Sequence, residues 1–210
     1  MTRAARFVTL EGGEGAGKST QAKRLAEKLE ARGIACVLTR EPGGSAGAEA
    51  IRKLLVEGAR ERWDGKTETL LVFAARADHL ARTIEPALND GKWVISDRFT
   101  DSTYAYQGAG RGVSHPFIAE LERLVVGNVR PDLTLILDVD PEQGLSRTAH
   151  RTHAETRFEQ FGPDFHTRLR AYFLDIARKN PSRYTVIDTS RPEEDVAASI
   201  WQAVTTRFNL

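Results

Sequence analysis

The chain has 210 residues, with 30 Lys and Arg against 29 Asp and Glu, so its formal net charge at pH 7 is +1. This length fits one compact domain, and the balanced charge leaves no overall basic field for binding nucleic acid or a membrane surface. The single cysteine, Cys36, excludes a disulfide scaffold and a thiolate metal site and is typical of a reducing compartment. No run of about 18 apolar residues occurs, so we expect a cytoplasmic protein without a membrane span.

Short apolar runs alternate with segments of helical periodicity along the chain. Five runs are predicted to be strands, at residues 7–10, 35–39, 93–96, 133–137 and 184–187. Strands that alternate with helices are typical of an α/β fold, a parallel sheet with helices on both faces. Ligands of such folds bind beyond the carboxyl ends of the strands.

The helical periodicity predicts which side chains face the core. After the Gly43-Gly44 turn, Ile51, Leu54 and Leu55 share the predicted inner face of a helix. The long segment that begins at residue 68 continues this pattern up to Pro86, where we expect the helix to kink or restart. Its predicted apolar positions are Leu70, Phe73, Ala77, Leu80 and Ile84.

A glycine-rich loop with the spacing G-x-x-x-x-G-K-[ST] follows the first predicted strand. It consists of Gly12, Gly13, Glu14, Gly15, Ala16, Gly17, Lys18 and Ser19. In such a loop, backbone N–H groups wrap a polyphosphate, Lys18 reaches the β- and γ-phosphate oxygens, and the Ser19 hydroxyl binds Mg²⁺. A glycine-rich turn without function would match by chance in roughly one chain in a hundred at average glycine usage. The position between a strand and a helix therefore favours a nucleoside triphosphate site.

A second group of candidate residues surrounds the end of the third predicted strand. Asp97 is placed to organise Mg²⁺ and Arg98 to hold a second phosphate, although an ordinary surface ion pair is the alternative. On the long helix, Phe73 and Arg76 share a face, and a flat ring beside a planar donor suits a nucleobase. Taken alone, that pair is better explained by core packing with a surface charge. The chain has no Asn/Thr-Lys-x-Asp segment, the guanine-reading motif of GTPases.

Taken together and in order, these motifs resemble bacterial thymidylate kinase over essentially the whole chain. The matching segments are the loop from Glu11 to Thr20, Arg40-Glu41-Pro42-Gly43-Gly44, Asp97-Arg98-Phe99, residues 102–108 and residues 137–141. The resemblance implies a P-loop kinase fold, with a five-stranded parallel sheet, helices on both faces and a small lid. It further implies a homodimer that uses Mg²⁺ and transfers the γ-phosphoryl group of ATP to dTMP, giving dTDP and ADP.

The resemblance also implies roles for individual residues. Phe73 would stack on the thymine, Arg76 would bind its carbonyl, and Glu14 would lie near the sugar. Asp97 and Ser19 would serve the metal, and Arg98 the acceptor phosphate. The implied ATP-binding residues are Gly12, Gly13, Glu14, Gly15, Ala16, Gly17, Lys18, Ser19 and Thr20. The implied acceptor-binding residues are Glu14, Arg40, Phe73, Arg76, Arg98, Ser102, Thr103, Tyr106 and Gln107.

Three arginines, Arg147, Arg151 and Arg157, lie in a polar stretch between two predicted helices. On composition alone, this stretch is as compatible with a lid at about residues 147–158 as with a solvated helix end. The loop favours the lid, because Glu14-Gly15 offers no cation beyond Lys18. By the resemblance, family members without an arginine in the phosphate loop carry catalytic arginines in the lid. We favour Arg151 as the one that reaches the transferring group, because it lies mid-lid, and Arg147 next.

The acceptor chemistry separates three hypotheses. A nucleoside monophosphate is largely dianionic at pH 7, so a monophosphate kinase needs no general base and works by alignment, charge neutralisation and exclusion of water. A related small kinase acting on a deoxynucleoside or another monophosphate is the second hypothesis, and Asp97 could then act as a base. The third is a nucleotide-dependent switch or binding module with no acceptor.

Overall fold

The computed structural model describes residues 4–148 and 157–210, in which five parallel strands form one sheet of order β2-β3-β1-β4-β5. The strands are β1 (Phe7–Glu11), β2 (Cys36–Arg40), β3 (Trp93–Asp97), β4 (Leu133–Asp138) and β5 (Tyr184–Asp188). Each predicted strand is confirmed to within one residue at either end. The alternation of apolar runs and helical segments therefore predicted the α/β class correctly.

Helices cover both faces of this sheet. The α-helices are α1 (Lys18–Glu30), α2 (Ala46–Val56), α3 (Gly65–His79), α4 (Glu85–Asn89), α5 (Thr100–Thr103), α6 (His115–Val125), α7 (Pro141–Thr148), α8 (Pro163–Lys179) and α9 (Glu193–Phe208). One apolar core includes Leu10, Leu25 and Ile200, from β1, α1 and α9. On the opposite face, Phe7 of β1 packs in a second core with Ile118 of α6.

The register of the strands places Asp97 beside the ends of β1 and β2 at one edge of the sheet. Leu10 of β1 lies opposite Asp97 of β3, and Arg40 of β2 lies opposite the same residue. Because the strands are parallel, their carboxyl ends meet here, as this fold class requires. The phosphate loop leaves β1 at this edge, and the candidate site is built around it.

The long helix changes its winding before Pro86. A π-helical segment, Leu80–Ile84, follows α3, and Pro86 lies in the first turn of α4. Proline lacks an N–H group and its ring collides with a carbonyl of the preceding turn in a regular α-helix, whereas a wider turn accommodates it. The predicted kink or restart at Pro86 is confirmed.

Three predicted inner positions, Leu54, Leu70 and Ala77, are wrong, because all three side chains are exposed. Leu54 is 37% exposed and Leu70 is 51% exposed. The inner face of α3 buries Glu68, Arg76 and His79 together with apolar residues. A periodicity counted from apolar residues alone misplaces this face, because polar side chains occupy part of it. Among the described residues, no helix is long and apolar enough to cross a membrane.

Candidate active site

The phosphate loop requires glycine where it passes other backbone segments closely. Gly12 has a φ of +140°, and a Cβ there would lie 2.4 Å from the carbonyl oxygen of Leu137 on β4. A Cβ at Gly15 would lie within 1.9 Å of the carbonyl oxygen of Gly144 on α7. The loop is therefore held against β4 and α7, at the carboxyl edge of the sheet.

Lys18 and Ser19 begin α1 directly beneath this loop. The Lys18 ammonium donates to the carbonyl oxygen of Gly13 over 2.6 Å, and the side chain is only 7% exposed. Burial, with a smaller contribution from the nearby Arg98, lowers the pKa of Lys18 to about 8. This ammonium lies inside the loop, where it can meet the oxygens of a bound polyphosphate.

Ser19 and Asp97 form the part of the site that fits a magnesium ion. The Ser19 hydroxyl donates to Oδ2 of Asp97 over 2.5 Å, which brings the two predicted metal residues together. Residues 4–148 and 157–210 hold no cluster of three or more acidic, His or Cys side chains that could bind a metal ion. A pair of oxygen ligands suits Mg²⁺, which is typically bound by one or two protein groups, phosphate oxygens and water.

Arg98 links the phosphate loop to the next pocket. Its Nη1 donates to the Gly12 carbonyl and to the Ser102 hydroxyl, over 3.0 and 3.1 Å, and its Nη2 donates to Glu14 over 3.1 Å. The guanidinium lies 4.7 Å from the centre of the Tyr106 ring. Although burial alone would raise the pKa of Glu14, the charges of Arg98 and Lys18 hold it at about 2. Arg98 and Glu14 thus form a fixed charge pair between two pockets.

A cleft with about 710 Å³ of empty space opens beside this pair, between α2, α3 and the helical turns that follow β3. Seven of the nine predicted acceptor-binding residues line it: Glu14, Arg76, Arg98, Ser102, Thr103, Tyr106 and Gln107. Arg40 instead lines the neighbouring pocket around the phosphate loop. The cleft and the phosphate loop share Glu14 and Arg98, so two ligands bound there would meet at these residues.

Arg76 is held in the cleft wall with one donor group unused. Its Nε donates to Glu41 over 2.8 Å, and its Nη2 donates to the Phe99 carbonyl and the Thr103 hydroxyl. Nη1 is buried and has no hydrogen-bond partner among the described residues. A buried donor without a partner costs about 1–3 kcal/mol. Such a group suits a carbonyl oxygen of a ligand in the cleft.

Phe73 does not reach this cleft. Its ring is buried in the core with Ile84 and Phe99, and the Arg76 guanidinium lies over it at 4.8 Å. The side chain that lines the cleft one turn before Arg76 is Val72. The stacking role that the resemblance implies for Phe73 is therefore not supported, because the neighbouring residue occupies the cleft face of α3.

The predicted lid arginines have different surroundings. Arg147, at the end of α7, donates to the carbonyl oxygens of Gly15 and Thr189, so it lies against the phosphate loop. Arg151 lies outside the described residues. Arg157 is fully buried, and its guanidinium is bound to Glu68 and to the carbonyl oxygens of residues 55, 59 and 60. The prediction of a catalytic role for Arg157 needs correction, because these contacts hold it away from the phosphate loop.

Sequence reasoning did not identify the buried acidic residues that support the site. Glu41 binds Arg76 and His79, and Glu68 binds Gln107 and two arginines. One signal was available for Glu68, since it precedes Val72 and Arg76 at intervals of four residues and so shares their helix face.

Glu11, at the end of β1, is a further buried acid that was missed. It accepts hydrogen bonds from the Phe99 N–H and the Ser102 hydroxyl, over 2.7 and 2.6 Å. Burial, with a smaller contribution from Asp101, raises the pKa of Glu11 to about 8. Glu11 thereby fixes the chain that follows Arg98.

Comparisons with known proteins agree on one family. The family model described as Thymidylate kinase matches residues 10–200. The chain is 54% identical to the thymidylate kinase of Ruegeria pomeroyi, over 97% of this chain and 96% of that protein. It is 53% identical to the thymidylate kinase of Caulobacter vibrioides, over 97% and 98% of the two chains. The crystal structure of thymidylate kinase from Ehrlichia chaffeensis superposes with a TM-score of 0.79 at 36% identity, covering 96% of this chain and 99% of that one.

Proposed function

Because the chain belongs to the thymidylate kinase family, we propose that it transfers the γ-phosphoryl group of ATP to dTMP, giving dTDP and ADP for dTTP synthesis. ATP occupies the phosphate loop and dTMP the adjoining cleft. The observation that carries this assignment is the unpaired Nη1 donor of Arg76, which is buried in the cleft wall. It would pair with a carbonyl oxygen of the thymine base.

The charged residues between the two pockets support an acceptor that carries a phosphate. Arg98 lies between the phosphate loop and the cleft and is held there by Gly12, Glu14 and Ser102. An arginine in this position suits the oxygens of an acceptor phosphate, since its planar guanidinium can bind two oxygens at once. Arg40, which lines the phosphate-loop pocket, would add charge on the same side.

The reaction needs charge neutralisation and alignment more than proton transfer. A dianionic monophosphate attacks without a general base. Lys18 would hold the phosphates of ATP and Arg98 the single phosphate of dTMP, so that the two are aligned for transfer. Ser19 and Asp97 would hold Mg²⁺, which when bound neutralises phosphate charge. Asp97 accepts the Ser19 hydroxyl, and this contact favours the metal role over that of a base.

The remaining positive charge would come from the lid, at about residues 147–158, most of which lies outside the described residues. The loop pair Glu14-Gly15 supplies no cation, and Arg147 rests on the Gly15 carbonyl. We assign the chain to the subtype that uses lid arginines, with Arg147 and Arg151 as the candidates. Arg157 is left out of this set because Glu68 holds it.

A homodimer is part of this proposal. Leu54 on α2, Leu70 on α3 and Leu124 on α6 are large apolar side chains on the surface. The helices that carry them are in contact, α2 with α3 and α3 with α6, and a second copy of the chain would bury these side chains on that face. The single Cys36, a free thiol, supports a cytoplasmic location.

We expect dTMP to be the best acceptor in an ADP-release assay with ATP across dTMP, dUMP, dCMP, AMP and thymidine. dUMP should be weaker because it lacks the methyl group, which in an apolar part of a pocket is worth about 1–3 kcal/mol, or roughly 10–200-fold. Faster turnover of dCMP or AMP would contradict the base assignment. Faster turnover of thymidine would favour a nucleoside kinase, and slow hydrolysis that no acceptor changes would favour a switch.

A further inference from the structure

Glu68, on the first turn of α3, is a fully buried carboxylate behind the cleft wall. Its Oε1 accepts a hydrogen bond from Nε2 of Gln107 over 2.8 Å. Its Oε2 accepts from Arg111 over 2.6 Å and from Arg157 over 2.5 Å. The side chain thus joins three segments that are far apart in sequence.

The two arginines determine what Glu68 can offer to Gln107. Two guanidinium groups on one oxygen compensate the buried negative charge, so the carboxylate acts as an acceptor only. The side-chain amide of Gln107 must then turn its NH₂ group toward Glu68. Gln107 lines the cleft, and its side-chain oxygen, which has no partner among the described residues, is left as the acceptor available there.

The cleft therefore combines one donor with one acceptor. Arg76 offers its unpaired Nη1, and Gln107 offers its amide oxygen. A base edge that carries a carbonyl beside a ring N–H, as in thymine and uracil, matches this pair. Cytosine carries an amino group beside an unprotonated ring nitrogen, which is the opposite arrangement.

We propose that Glu68 is a positioning residue for base selection, which fixes the side-chain amide of Gln107 with its oxygen toward the acceptor base. This inference rests on the proposed function and adds the residue that enforces the preference for dTMP over dCMP. To accept cytosine, Gln107 would have to rotate its amide and place its oxygen against the Glu68 carboxylate. Two acceptors without a shared proton repel each other, so this rotation is disfavoured.

Glu68→Gln removes this constraint, because a glutamine at 68 can donate to the oxygen of Gln107. We expect the ratio of kcat/KM for dTMP to that for dCMP to fall about tenfold, the value of one hydrogen bond. The change should appear mainly in KM for the two nucleotides, since the contact forms already in the bound ground state. Steady-state kinetics with each acceptor at saturating ATP measures both parameters.

Arg111→Met is the matched control for a purely structural role of Glu68. It removes another partner of the same carboxylate and leaves the Gln107 contact in place, so we expect a lower Tm with an unchanged acceptor ratio. In the double variant Glu68→Gln/Gln107→Met, the ratio should equal that of Gln107→Met alone, because both changes act through one amide. Additive losses in the double variant, or a Glu68→Gln ratio within about twofold of wild type, would overturn the proposal.

Glu68→Asp provides the test if Glu68→Gln does not fold. It keeps the charge between the two arginines and withdraws the carboxylate from Gln107 by one methylene group, so the acceptor ratio should again fall. An unchanged ratio in this variant would refute the role of Glu68. A wild-type enzyme without a preference for dTMP over dCMP would instead refute the proposed function, so the two failures are distinguishable.

Discussion

Alanine in place of the lid arginine that reaches the transferring phosphoryl group, Arg151 or else Arg147, is expected to lower kcat by about 10³- to 10⁵-fold, the range of arginine fingers in related reactions. KM for dTMP should change little, because the contact forms in the transition state and not with the bound acceptor. The physical reason is the composition of the phosphate loop. Glu14-Gly15 brings no positive charge, so Lys18 alone cannot balance the charge on the transferring group.

Arg157→Ala is the comparison that separates catalysis from stability. This arginine is buried against Glu68, and removing one partner of a buried ion pair costs about 3–5 kcal/mol of unfolding free energy. We therefore expect Arg157→Ala to lose unfolding free energy, which denaturant unfolding measures. Arg147→Ala and Arg151→Ala should instead lose kcat, which steady-state kinetics with ATP and dTMP varied separately measures. If Arg147→Ala and Arg151→Ala both stayed within about threefold of wild-type kcat, the lid would have no catalytic arginine.

Lys18→Ala is expected to lower kcat by about 10²- to 10³-fold, the usual effect of losing one preorganised charge contact. The fold should persist, because the hydrogen bond that Lys18 makes within the protein goes to the loop carbonyl of Gly13 and not to the apolar core. Circular dichroism and thermal unfolding would verify this.

Lys23→Ala is the matched control for Lys18. Lys23 lies on the same helix, α1, with an exposed side chain that forms an ion pair with Glu27. Its removal should leave kcat unchanged, since it contributes nothing to the loop. A folded Lys18→Ala enzyme with near-wild-type kcat would contradict the assignment of the phosphate site.

The sheet and the phosphate loop could be predicted from sequence because each depends on residues that are close together in the chain. Buried parallel strands appear as short apolar runs, and the glycine, lysine and serine positions of the loop have a fixed local spacing. The backbone confirms the reason for one glycine, since a side chain at Gly12 would collide with Leu137. Such a glycine can be recognised from its local spacing, without knowledge of the remote segment that it contacts.

The partners of the residues that support the cleft could not be predicted, because they are remote in sequence. Arg157 meets Glu68 across 89 positions, so the arginine could equally be assigned to the lid. Helical periodicity also counts only apolar residues, and α3 turns Glu68 and Arg76 inward. The choice between Phe73 and its neighbour Val72 depends on a rotation of about 100° around that helix, which sequence spacing alone does not resolve.

Transfer of the label from [γ-³²P]ATP tests the central claim most directly. With Mg²⁺ and dTMP present, the account predicts that the label appears in dTDP, at a rate that saturates with dTMP, and that little appears as inorganic phosphate. Label released as inorganic phosphate, at a rate that dTMP does not change, would contradict the assignment of the cleft as an acceptor site.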